Sequence, residues 1–205
     1  MVDINNARLE LLFPTPVVIA KINKHEEYKK KFVPLLTEKF KTNSNQSAPW
    51  ANLCHSWQVP CNNSDLFIWD DQFGKLVFEF LYYLYKYSNQ NQIKIASWFN
   101  VHDQNMYQDI HQHRESTISG IYYLQLDKNN FPATFINPST KDLDLVRLPD
   151  RCKDLMYNTF PNNLKIEEGD LVLFPSHLEH LVKRSGLKQN LRISYSFNID
   201  TCQTP

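Results

Sequence analysis

The sequence predicts an α+β fold, mainly β, of the jelly-roll or cupin-like kind, with helices packed on one face of a double sheet. Two observations carry that expectation. Helical periodicity is confined to the first ninety residues, and from Ile93 onward the chain reads as strand after strand. Those strands are rich in Ile, Val, Tyr and Phe and are separated by turn residues, which suits a mostly antiparallel body.

Taken in order, residues 9–23, "LELLFPTPVVIAKIN", read as two short strands interrupted by Pro14 and Pro16, since proline is tolerated at strand ends and edges. "KHEEYKKKFVPLLTEKFKTN" has the mixed periodicity of a surface helix, in which Pro34 predicts a kink or break. "SNQSAPWANLCHSWQVPCNNS" reads as loop with a short strand. A second helix follows, with Phe73, Leu76, Val77, Phe80, Leu81 and Leu84 at three- and four-residue steps forming one apolar stripe. The strands are then "IKIASWFNV", "STISGIYYLQL", "PATFINP", "DLVLFPS" and "LRISYSFNI". Residues 137–163 form a long polar insertion between strands, a candidate lid or binding loop. The whole chain, 1–205, is expected to be one domain, with a helical part over about 1–90 and a jelly-roll core over about 91–200.

Composition narrows the class of partner. Lys plus Arg and Asp plus Glu balance at 22 each, so there is no basic footprint for duplex nucleic acid or an anionic membrane. No window approaches the ~20 apolar residues that span a bilayer. Cys54, Cys61, Cys152 and Cys202 form no C-x-x-C pair or zinc-like spacing, and the amino terminus lacks a signal-peptide pattern. A cytoplasmic protein with reduced thiols is therefore expected.

The chemistry-bearing residues lie in the β body. In "DIHQHRESTISGIYYLQ", His111 and His113 stand two apart, as do His113 and Glu115, and within a strand such pairs share a face. "EEGDLVLFPSHLEHLV" adds His177 and His180 just after an apolar strand. In "NLRISYSFNI", Arg192 and Ser194 share one face while Leu191, Ile193, Tyr195 and Phe197 make the other face apolar. A buried arginine beside a hydroxyl calls for a bound anion. Two histidines and a carboxylate that leave coordination positions open are the ligand set of non-haem iron(II) oxygenases, and a planar guanidinium suits the far carboxylate of a keto-diacid.

Together, "LFPTPV", "HQHRESTISGIYYL" and "GDLVLFPSHLEH…RISYSFNI" resemble the iron(II)/2-oxoglutarate oxygenases. The likeness is to the small microbial and viral branch with H-x-H…SG-x-YY and LFPS-x-x-x-H…R-x-S motifs, and it runs from about Leu12 to Ile199. The resemblance implies a double-stranded β-helix with iron(II) at its mouth, and 2-oxoglutarate and O2 as cosubstrates. By position, His111, His113 and His180 would be the metal ligands, with Glu115 competing as the third. Arg192 and Ser194 would hold the C5 carboxylate of 2-oxoglutarate, with Tyr123 and Asn100 close by. Tyr107 would frame the H-x-H pair, His177 would line the site without touching metal, and Trp57 in the 46–63 loop would help shape the substrate cleft. His25, His102 and Lys183 are expected on the surface.

The activity so implied is a dioxygenase, hydroxylating a small molecule or a protein side chain with release of succinate and CO2. Two other readings stay open on the residues alone. One is a three-histidine cupin-type dioxygenase or isomerase without 2-oxoglutarate, which would not need Arg192 and Ser194 on one face. The other is a non-enzymatic jelly-roll binding module.

Overall fold

A computed structural model describes residues 15–43, 54–61, 65–87, 93–128, 130–136, 164–185 and 190–201. Two antiparallel sheets face each other. The larger has the strand order β1 (Val18–Lys21), β8 (Asp170–Pro175), β6 (Ile118–Gln125), β10 (Arg192–Thr201), β4 (Ile93–His102) and β3 (Trp57–Pro60). The smaller runs β2 (Cys54–His55), β5 (Tyr107–His111), β9 (His180–Val182), β7 (Thr134–Phe135). Every pairing is antiparallel, as a jelly roll requires.

Strand β10 organises the larger sheet. It lies between β4 and β6, with Arg192 opposite His102, Ser194 opposite Asn100 and Tyr123, and Ser196 opposite Trp98 and Ile121. Directly paired residues project to the same face. One face of β10 thus offers Arg192, Ser194, Ser196 and Asn198 to the space between the sheets. The other offers Ile193, Tyr195, Phe197 and Ile199, all fully buried in the main core.

Helices α1 (His25–Asn43) and α2 (Asp71–Tyr85) cover that apolar face. The stripe read from the sequence is the docking surface of α2: Phe73, Val77, Phe80 and Leu81 are buried, and Leu76 and Leu84 pack beside them. Asp70 caps α2, accepting from the backbone N–H groups of Gln72 at 2.9 Å and Phe73 at 3.0 Å and from the Tyr28 hydroxyl at 2.6 Å. At the start of α1, the imidazole of His25 shares a 2.7 Å hydrogen bond with the Tyr122 hydroxyl, so this histidine joins helix to sheet instead of lying on the surface.

Three expectations change. Helix α1 runs through Pro34 without a break, because Pro34 and Lys30, whose carbonyl loses its partner, both face solvent. Residues 9–23 supply one strand among the described residues, Val18–Lys21, and the stretch up to Pro14 lies outside them. The division near residue 90 does not separate helices from sheet, since β1 and β3 from the first part form the two edges of the larger sheet. The 137–163 insertion and much of the 46–63 loop lie outside the described residues.

Candidate active site

Three histidines converge between the sheets. His111 closes β5 and His180 opens β9, and the two are paired across the smaller sheet. His113 comes after β5 has ended. Its backbone N–H donates to the Ser176 carbonyl at 2.8 Å, which pins it to the end of β8. One ring nitrogen from each of the three lies within 4.8 Å of the others.

Backbone carbonyls fix the tautomer of two of the rings. The Nδ1 of His180 meets the Leu178 carbonyl at 3.0 Å, and that of His111 meets the Asp109 carbonyl at 2.7 Å. A carbonyl can only accept, so in both rings Nδ1 carries the hydrogen and Nε2 keeps its lone pair. Burial first, and then charge on His111, hold His180 well below the usual histidine range. The same two causes bring His113 down to about 4, and burial lowers His111. Phe174 and Phe135 pack on His180 at 5.0 and 6.0 Å between ring centroids, and Trp98 lies 6.0 Å from His113. Three neutral imidazoles in an apolar setting form a donor set that fits a divalent transition metal.

Glu115 stands apart from this cluster. The Ser116 N–H donates to the His113 carbonyl at 3.0 Å, and the turn so formed leaves Glu115 exposed. His177 is exposed as well. With the Gln112 amide oriented by its neighbours, its nitrogen donates to the His177 carbonyl at 3.0 Å and its oxygen accepts from Arg114 at 2.9 and 3.0 Å. Tyr107 is half-buried in β5, with the Arg184 guanidinium 4.3 Å above its ring. Trp57 is a correction. It is 4% exposed and packs against Phe40 at 5.7 Å in the core under the helices, because its partner in β4, Val101, faces that way.

On the inner face of the larger sheet stands a second polar group. Arg192 is 3% exposed. Its Nη1 donates to the Phe131 carbonyl at 2.8 Å and its Nη2 to His102 Nδ1 at 2.9 Å, while Nε is buried without a partner among the described residues. Burial lowers the guanidinium to about 10. Ser194 and Tyr123 are buried beside one another in register. The Tyr123 hydroxyl accepts from the Ala133 N–H at 2.8 Å, and burial pushes it up to about 12, so it stays protonated. An orphaned guanidinium N–H beside two hydroxyls, in a dry pocket, fits a carboxylate. Asn100 is held from several strands: its oxygen accepts from Gln58 at 2.9 Å and Gln108 at 3.3 Å, and its nitrogen donates to Ser196 at 2.9 Å. His102, expected on the surface, is 3% exposed on Arg192. Its alternation with Phe99 and Val101, in step with Asn100, was the available signal.

Residues 96–198 match the family model described as "Putative 2OG-Fe(II) oxygenase". The chain belongs to this family. The oxygenase also resembles solved structures of similar fold. A prolyl-4-hydroxylase of Pseudomonas putida superposes with a TM-score of 0.55 at 11% identity, over 92% of this chain and 94% of that one. HygX of Streptomyces hygroscopicus, with nickel and 2-oxoglutarate bound, gives 0.57 at 13% identity, over 92% and 83%. A Trichoplax adhaerens prolyl hydroxylase in complex with a hypoxia inducible factor peptide fragment gives 0.54 at 11% identity, over 90% and 83%. No curated protein matches the chain. The oxygenase is therefore an iron(II)- and 2-oxoglutarate-dependent enzyme with a jelly-roll fold. Among its described residues no helix is long and apolar enough to cross a membrane.

Proposed function

We propose that the oxygenase holds iron(II) on His111, His113 and His180, anchors the far carboxylate of 2-oxoglutarate on Arg192, and hydroxylates a small molecule or a peptide side chain. The observation that carries this reading is the convergence of three ring nitrogens within 4.8 Å between the sheets, with Arg192 buried on the inner face of the larger one. When bound, iron(II) couples oxidative decarboxylation of 2-oxoglutarate by O2, giving succinate and CO2, to insertion of the second oxygen atom into a substrate C–H bond.

The chain's own part is orientation and exclusion of water. The carbonyls of Leu178 and Asp109 fix the His180 and His111 rings with Nε2 free for the metal. Arg192, with hydroxyl donors from Ser194 and Tyr123, would receive the C5 carboxylate, which compensates a guanidinium otherwise alone in the interior. Asn100 would support the same pocket through its bonds to Gln58, Gln108 and Ser196. Phe174 and Phe135 shield the His180 ring, and Trp98 packs against His113. The 137–163 insertion is the proposed substrate-covering element; of the 46–63 stretch, residues 54–55 and 57–60 are strands and are not part of that proposal. A cytoplasmic location belongs to the same reading; burial holds the Cys61 thiol protonated.

Anaerobic titration of the iron(II)-loaded protein with 2-oxoglutarate tests the reading through the visible charge-transfer band of a chelated keto acid. Wild type and Glu115→Ala should bind one metal per chain and show the band, whereas His111→Ala should lose most of its metal. Loss of metal in Glu115→Ala with retention in His111→Ala would reverse the ligand assignment. Bound metal without a band would favour a three-histidine dioxygenase that does not use 2-oxoglutarate.

A further inference from the structure

Among the described residues the guanidinium of Arg192 is held by the Phe131 carbonyl from the segment after β6 and the His102 imidazole from β4. A guanidinium carries hydrogens only, so the ring nitrogen facing it at 2.9 Å must present a lone pair. His102 is therefore a neutral acceptor there, 3% exposed and directly opposite Arg192 in register.

An acidic residue at this position would accept the same hydrogen bond and hold the guanidinium more tightly. It would also neutralise it, and would then repel an incoming carboxylate. A neutral acceptor orients the long arginine side chain while leaving its charge uncancelled. Among the described residues Nε of Arg192 has no partner, which leaves one N–H of the fork for a ligand. Without the ring, the guanidinium would keep one neutral acceptor and regain rotamer freedom that binding must then remove.

We infer that His102 is a positioning residue for the cosubstrate: it fixes the Arg192 fork without quenching its charge, so that the pocket takes a keto acid with a second carboxylate. This rests on Arg192 being the carboxylate anchor.

The test compares two keto acids on the anaerobic iron(II)-loaded protein by the same charge-transfer titration. 2-Oxoglutarate has the far carboxylate and 2-oxobutanoate lacks it, while both chelate a metal. In His102→Leu, affinity for 2-oxoglutarate should fall about tenfold, the scale of one hydrogen bond to a charged group, with 2-oxobutanoate within twofold of wild type. His102→Asn, whose amide oxygen can stand near the Nδ1 position, should retain 2-oxoglutarate within about threefold. His102→Asp, nearly isosteric with Asn but charged, should lose at least tenfold toward 2-oxoglutarate alone. The Asn and Asp pair decides the matter even if the leucine variant fails to fold.

Equal affinities for 2-oxoglutarate in the Asn and Asp variants, or parallel weakening of both keto acids, would overturn the inference. Arg192→Met separates the two levels. If it leaves 2-oxoglutarate binding intact, the anchor itself is misassigned; if it abolishes binding while the His102 variants behave as wild type, only the role of His102 falls.

Discussion

Replacing Arg192 by Met should make the ligand-free protein more stable while making it blind to 2-oxoglutarate. Burial lowers the guanidinium from its ordinary value to about 10. At 1.36 kcal/mol per tenfold change in acidity, the charged form bears a burden of about 3 kcal/mol in the folded protein. The folded value is depressed, so the burden is fully present at neutral pH and lifts only above about pH 10. Methionine keeps most of the apolar stem but gives up the bonds to Phe131 and His102, at a cost of about 1–2 kcal/mol. The net gain of about 1–2 kcal/mol corresponds to roughly 2–8 °C in Tm for a chain of this size. In metal-loaded wild type, 2-oxoglutarate at a hundred times its Kd should add about 2.7 kcal/mol, and in the variant almost nothing. Differential scanning calorimetry with and without 2-oxoglutarate reads both effects. A fall in the ligand-free Tm of the variant would make Arg192 a structural partner, and a preserved ligand-induced rise would move the anchor elsewhere.

Other outcomes are equally specific. Gly120→Ala would put a Cβ 2.2 Å from Cζ and 2.6 Å from both Cε atoms of Phe197, whose ring is wedged among Trp69, Phe73 and Tyr195. It should cost about 1–3 kcal/mol in urea unfolding, and Phe197→Leu in the same chain should recover part of that. Asp70→Ala removes the cap of α2 and should lower stability by about 1–2 kcal/mol, seen as a lower helix-melting midpoint by circular dichroism. The metal-free protein should lose stability as pH falls from about 6.5 toward about 4, because His113 is neutral when folded but takes up a proton when unfolded. Urea midpoints at pH 7.5, 5.5 and 4.5 should fall less steeply in His113→Phe. Identical slopes would refute the assignment.

Much of the site was legible because period-two alternation survives in strands buried on both faces. Arg192 and Ser194 stand out against Ile193, Tyr195 and Phe197 for that reason, and of Tyr122 and Tyr123 only the second faces inward. The H-x-H pair was found by the same rule, yet His113 reaches the cluster from beyond the strand end. There the alternation that would equate His113 with Glu115 no longer holds, and the turn sends the carboxylate to solvent. His102 escaped notice because the polar run "HDQN" that begins with it hides its register partner, which lies ninety residues away in sequence. Trp57 was misplaced for the converse reason: the short strand read in this segment came without a register, and pairing with Val101 turns the indole toward the helices.

The two-sidedness of β10 has a consequence for how the enzyme can diversify. Its consecutive residues answer to different selections, one for a folded chain and the next for a working pocket. A saturation scan of residues 192–199 should therefore separate into two interleaved series. Changes at Ile193, Tyr195, Phe197 and Ile199 would lower cellular abundance, and changes at Arg192, Ser194 and Ser196 would leave abundance intact while silencing turnover. With both series occupied, this strand has little freedom to drift, and new substrate preferences must arise in the segments that border the mouth.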